Sequence, residues 1–143
     1  MQTSRVYSIL GGKNVLQQNI KSRMDLIELS KKGVSKNALL HLAEYLNLSE
    51  SQIAQLLPVS KRTVQRYSPN KLFTRAVSES ILQIAEVAAR GVEVFGDKKR
   101  FLAWLDHPSP ALGNKTPTSL LDSRFGTEMI LDELGRIEYG VIS

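Results

Sequence analysis

The chain has 143 residues, no cysteine and a net charge of +5, a length that buries roughly 68% of the surface an unfolded chain exposes and so supports one unit, or two small subdomains sharing a core. The lack of cysteine excludes disulfides and thiolate metal sites and fits a reducing compartment. Apolar runs fall far short of the roughly 20 residues that cross a bilayer, and the start MQTSRVYSIL lacks the apolar stretch of a signal peptide, so the expectation is a soluble, cytoplasmic protein without membrane contact.

Residues 1–22 have no clear period and contain Gly11-Gly12, which reads as a loosely ordered arm or a short packing segment. From Arg23 a helix is expected with Met24, Leu26 and Ile27 as its apolar face, ended by Gly33 as a left-handed C-cap. Ser35 then caps a second helix, in which Leu39, Leu42, Ala43 and Leu46 fall at the period of one buried stripe. Ser49 and Gln52 form a capping box opening a helix with Ile53, Ala54, Leu56 and Leu57, which Pro58 stops. Ser60 caps the next helix, Lys61 to about Tyr67, with Val64 and Tyr67 facing inward.

After the linker SPNKLF, Thr74 caps a long helix to Phe95 with Val77, Ile81, Ile84, Ala85, Ala88 and Val92 as its stripe, joining the two halves of the chain. Gly96 ends it and Asp97 caps another helix carrying Phe101, Leu102, Trp104 and Leu105, with Trp104 assigned to the core. The stretch HPSPALGNKTP reads as an ordered loop, with Thr116 and Pro117 as N-cap and first position of a short turn. A last helix spans about Arg124 to Tyr139, with Phe125, Met129, Ile130, Leu134 and Ile137 apolar, and Gly140 releases the tail VIS. No β-alternation of useful length occurs, so the fold class is all-α.

Charge is polarised along this plan. Residues 1–75 carry 12 Lys+Arg against 4 Asp+Glu, and residues 76–143 carry 7 against 10. No acid lies between Glu50 and Glu79, whereas Lys61, Arg62, Arg66, Lys71 and Arg75 do, which presents either a solvated basic face or a surface for a polyanion. The run LSESQIAQLLPVSKRTVQRY, with Ala54, Val59 and Val64 spaced as they are, resembles an Xre/Cro-type helix-turn-helix, whose second helix enters the major groove of operator DNA. Under that resemblance the DNA-contacting positions are Ser60, Lys61, Arg62, Thr63, Gln65, Arg66 and Lys71. Arg62 and Gln65 suit bidentate contacts to guanine and adenine, while Lys61, Arg66 and Lys71 suit phosphate. Pro58 stands where that family usually has Gly, and since proline cannot take positive φ the turn needs another geometry. The alternative is a helical hairpin for packing or dimerisation.

Further on stand Phe95-Gly96-Asp97, Trp104-Leu105, Pro108, Leu112-Gly113, Pro117, Leu120-Leu121-Asp122, Gly126, Leu134-Gly135-Arg136-Ile137 and Tyr139-Gly140. In this order they resemble the toxin-binding domain of the Xre/MbcA/ParS antitoxins, with Asn114 where many members have a second Gly. The resemblance implies a type II toxin–antitoxin role: a partner with a RES domain that consumes NAD, whose active site the antitoxin covers, and repression of the operon by DNA binding. The residues themselves suit that mode: Ile137, Tyr139, Val141 and Ile142 form an apolar tail around Gly140 that ends in a carboxylate at Ser143, and Arg136 and Glu138 suit charged groups lining a cleft, so the expected toxin contacts are Arg136, Glu138, Tyr139, Gly140, Val141, Ile142 and Ser143. Without the resemblance, that tail is expected to pack back on its own domain.

The domain plan is then an N-terminal arm 1–22, a helix-turn-helix domain 23–75, a connecting helix 76–95 and a toxin-binding domain 96–143, acting as a homodimer because two-fold operators need paired recognition helices. No catalytic or metal residue and no cofactor are expected: His41 and His107 are isolated, and Asp97 and Asp122 sit where caps or turns belong. The competing reading is a stand-alone helix-turn-helix regulator whose C-terminal half dimerises or binds an effector.

Overall fold

A helix with apolar residues on nearly every face must be surrounded, and Arg75–Phe95 is such a helix: beyond its expected stripe it also buries Leu82, Val87 and Ala89. In the computed structural model, which describes residues 2–140, it is the sixth of eight α-helices: α1 Gln2–Ile9, α2 Arg23–Lys32, α3 Lys36–Tyr45, α4 Glu50–Ala54, α5 Lys61–Arg66, α6 Arg75–Phe95, α7 Lys98–Leu105 and α8 Arg124–Glu138. Short 3-10 turns lie at Gly12–Asn14, Pro110–Leu112 and Pro117–Leu120. Among the described residues there is no β-strand, only isolated bridges between Ser35 and Leu72 and between Ser109 and Lys115. No helix of the described residues is long and apolar enough to cross a membrane.

Helices α1, α2, α7 and α8 all pack on α6, so one hydrophobic core runs from Val6 to Leu134. Two polar ties cross it at the surface: Arg23 of α2 pairs with Glu86 of α6, and the Lys98 ammonium of α7 lies 4.2 Å over the Tyr45 ring of α3. Between α6 and α7 the approach is close enough that a Cβ on Gly91 would collide with the Phe101 ring, which is fully buried. Phe101 in turn meets Phe95 and Trp104 at centroid separations of 6.2 and 6.3 Å, an aromatic cluster at the hinge between the two helices. Trp104 is therefore at the margin of the core rather than inside it.

The caps behave as local chemistry dictates. Ser35, Ser60, Thr74, Asp97 and Thr116 each accept a backbone N–H three residues on, and both bonds of the Ser49–Gln52 box form. At the start of α8 the capping side chain is Ser123, not Asp122.

Four expectations need correction. Residues 1–22 are not a loose arm: Val6, Ile9, Leu10, Leu16 and Ile20 are buried and α1 lies along α6, so the packing alternative holds. On α2 the buried residues are Leu26, Leu29 and Ser30, while Met24 and Ile27 face solvent, because only the arc toward α6 is covered. Gly33 ends α2 with positive φ but an extended ψ (107°, 142°), since there it runs against the Phe73 carbonyl rather than curling left-handed. On α8, Ile130 and Leu134 of the expected apolar set are buried, but Phe125 and Met129 are exposed, and Gly126, Thr127 and Glu133 are buried in their place. Asn114 takes φ +62°, a region asparagine tolerates, so its place in the loop is no obstacle.

Candidate functional site

Contrary to the expected helix running to Pro58, α4 stops at Ala54, so Leu56 and Leu57 lie in the turn beyond it and Pro58 does not end it. The chain then turns through a backbone bond from Val59 N–H to Leu57 C=O of 2.8 Å. A bond two residues apart with proline at its centre is an inverse γ-turn, which needs the negative φ that proline supplies. Pro58 thus replaces glycine by changing the turn type. Ala54 and Val64 are buried on either side and Val59 is half-buried, so the apolar spacing in the sequence marks the contact between α4 and α5.

On the outer side of α5, Lys61, Arg62, Gln65 and Arg66 are exposed, and Lys71 is exposed in the loop that follows. Among the described residues none of Lys61, Arg62, Arg66 and Lys71 pairs with a carboxylate; the flanking acids are already committed, Glu50 to Lys36 and Glu79 to Arg75. Thr63 is half-buried, and the Ser60 hydroxyl, which accepts the Thr63 N–H at 3.0 Å, donates to Thr63 Oγ1 at 2.8 Å. These two hydroxyls serve the helix cap first. Lys71 stands 5.7 Å from the centroid of Tyr67, whose ring stacks on Phe73 at 5.0 Å, which keeps the loop cation near the end of α5.

Lys36 carried no functional signal in the sequence. It is buried at the first position of α3, and its ammonium donates to the carbonyls of Gln65 at 3.3 Å and Tyr67 at 3.0 Å, with Glu50 Oε1 at 3.5 Å. A cation at the carbonyl end of α5 satisfies groups that no intrahelical N–H reaches. The backbone N–H groups of Lys36 and Asn37 meanwhile bond the carbonyls of Lys71 and Pro69. The start of α3 therefore holds both α5 and the loop behind it. The one available clue is a lysine in the first turn of a helix, where an acid would be favoured.

Helix α8 presents an outward stripe of Phe125, Met129, Asp132, Arg136 and Tyr139, spaced by three or four residues and all exposed or partly so, Phe125 by 78% and Tyr139 by 80%. Of the residues expected to meet a partner, Arg136 bonds Glu133 of its own helix at 2.9 Å. Glu138 is held by Arg90 of α6 through a two-bonded fork, at 2.8 and 2.6 Å. That fork draws the Glu138 carboxyl below its ordinary pKa and raises that of Arg90, the hydrogen bonds being the main cause in both. Gly140 leaves α8 with φ +73°. Val141, Ile142 and Ser143 lie outside the described residues.

The two histidines form no pair with each other: the Nδ1 of His41 lies 2.9 Å from the Asn37 carbonyl and that of His107 2.6 Å from the Ala103 carbonyl, each four residues back in its own segment.

Comparison with known proteins finds family matches to both parts of the chain. Residues 25–86 match the family described as the antitoxin Xre-like helix-turn-helix domain, and residues 90–140 that of the antitoxin Xre/MbcA/ParS C-terminal toxin-binding domain. The chain is similar to the antitoxin Xre of Yersinia enterocolitica, 28% identical over 120 residues that cover 82% of this chain and 81% of that one. It is also similar to a Prs ADP-ribosylating antitoxin of a Sphingobium species, 28% identical over 132 residues, with 85% and 83% covered. The fold resembles that of a chain in the crystal structure of the M. tuberculosis MbcT–MbcA toxin–antitoxin complex, with a TM-score of 0.56 at 19% identity, over 76% of this chain and 96% of that one.

Proposed function

We propose that this chain, which belongs to the Xre/MbcA/ParS antitoxin family, neutralises a RES-domain toxin that consumes NAD and represses its own operon as a DNA-bound homodimer. The observation that carries the toxin half is the outward stripe of α8 within the matched toxin-binding domain: large apolar side chains, Phe125, Met129 and Tyr139, exposed in line with the chain's exit. Exposed apolar surface of this kind marks a partner site. The tail from Tyr139 to Ser143 enters the toxin's cleft, and Arg136 lies beside it. A cleft that binds the phosphates of a dinucleotide is cationic, which the acidic balance of residues 76–143 complements. The name of the Sphingobium relative, an ADP-ribosylating antitoxin, fits this chemistry, because ADP-ribosyl groups derive from NAD.

The DNA half rests on the acid-free face of α5. Arg62 and Gln65 read base edges, Lys61, Arg66 and Lys71 hold phosphates, and Ser60 and Thr63 chiefly fix the helix that carries them. Two copies set their recognition helices roughly 34 Å apart on one side of the operator.

Co-expression with the product of the adjoining gene tests the whole. The expected result is growth arrest by the neighbour, relief by this chain, a stable complex of the two, and loss of relief but not of operator binding when residues 139–143 are deleted. Absence of a complex and of relief would leave a stand-alone regulator; relief by the truncated chain would refute the tail's role.

A further inference from the structure

The residue just before the outgoing tail is firmly fixed from outside its own helix. Glu138 closes α8, and both of its carboxylate oxygens accept from the guanidinium of Arg90, 48 residues earlier on α6. The Arg90 side chain is 20% exposed and that of Glu138 29%, and Arg90 is itself steadied by Glu93 at 3.1 Å. Two parallel N–H···O bonds fix the direction of a carboxylate as well as its place, which a single ion pair does not. The next residue, Tyr139, is largely exposed, and its N–H bonds the Gly135 carbonyl at 3.2 Å, while that of Gly140 bonds the Ile137 carbonyl at 3.1 Å. A last turn left to itself would fray. Here it is tied to the central helix of the fold.

We infer that Arg90 is a positioning residue for toxin binding: by gripping Glu138 it holds the last turn of α8 and sets the direction in which Tyr139 and Gly140 leave it, before any partner is met. Ordering that direction during folding spares the complex an entropic loss on association. Glu138 is accordingly an internal anchor and not, as the sequence suggested, a group that pairs with the toxin. This rests on the proposal that the tail enters the toxin's cleft.

The experiment measures affinity of the full chain for the product of the adjoining gene. Arg90→Gln and Glu138→Gln are each expected to weaken it about tenfold, a value typical of a missing charge-assisted bond, and the double variant no more than either single one. Additive losses would mean that Glu138 touches the partner and would overturn the inference. Arg90→Lys, which keeps the charge without the fork, should recover only part of the affinity. In a chain ending at Glu138, Arg90→Gln should change affinity no further, since no tail remains to aim; a further loss would refute positioning. Independently of any partner, Arg90→Gln should speed amide hydrogen exchange at Tyr139 and Gly140 while leaving the buried amides of α6 unchanged, and unchanged exchange at the two sites would also sink it. Should exchange respond but the unmodified chain bind no neighbour, the tail-in-cleft proposal is what has failed, and the aiming role falls with it.

Discussion

Replacing Lys36 by Met would test whether the recognition helix is held from behind. Methionine keeps most of the aliphatic stem, so the buried volume changes little, but the ammonium that reaches the Gln65 and Tyr67 carbonyls and Glu50 is gone. Hydrogen bonds from a charged donor contribute about 1.5–3 kcal/mol each. The Lys36 side chain is only 10% exposed, so removing its desolvation offsets part of that, and the net loss is expected near 2–3 kcal/mol. For a chain of this length a loss of 1 kcal/mol lowers Tm by about 3 °C, which predicts a drop of roughly 6–9 °C in thermal unfolding followed by circular dichroism. Glu50→Gln should cost under about 1 kcal/mol, because its partly exposed carboxylate contributes as a surface ion pair does. Well below the transition, Lys36→Met should weaken specific operator binding at least tenfold while leaving binding to unrelated DNA at the same salt unchanged, since every cation of the exposed face is retained. A Tm shift under about 2 °C, or an equal loss on every DNA sequence, would refute the reasoning.

Arg62→Ala with Arg66→Ala removes two cations that no acid among the described residues neutralises, so operator affinity should fall and its log–log salt slope flatten by about 0.9 for each phosphate left without its cation; unchanged gel shifts across several salt concentrations would exclude these roles. Gly91→Ala forces a methyl into the Phe101 ring and should destabilise by about 1–3 kcal/mol, whereas Gly135→Ala, with nothing within 4 Å of the added carbon near the C-terminal end of α8, should stabilise by about 0.5–1 kcal/mol. Denaturant unfolding of the two variants compares them directly, and equal effects would contradict the packing described. The Glu138 carboxyl, its pKa lowered by the fork, contributes stability that is complete above the ordinary carboxylate value of about 4.3 and is lost as pH falls through its depressed value. Its NMR titration midpoint should lie below that of a free glutamate and return to it in Arg90→Gln.

Much of this protein is local and therefore legible residue by residue. The capping residues Ser35, Ser49, Ser60, Thr74, Asp97 and Thr116 act within three positions of themselves, so their pattern marks most helix starts without reference to the fold. The stripe of α6 and the cationic face of α5 are equally visible, because one needs only helical periodicity and the other only the absence of acids.

Which face of an amphipathic helix finds cover depends on its neighbours. Phe125 and Met129 are apolar as Ile130 and Leu134 are, yet α6 covers one arc of α8 and leaves the other bare, and the same holds for Met24 and Ile27 beside Leu26 and Leu29 on α2. The N-terminal segment has little helical signal of its own and is ordered by the apolar surface that α6 offers it. Lys36 meets α5 across about thirty residues and Arg90 meets Glu138 across 48, separations over which neither periodicity nor spacing carries information. The amino-acid order by itself set the helices after residue 22, most of their caps and the sign of each surface. Only tertiary contact decided which apolar residues stayed in water and which charges hold α5 and the last turn of α8 in place, because both depend on what the fold brings alongside.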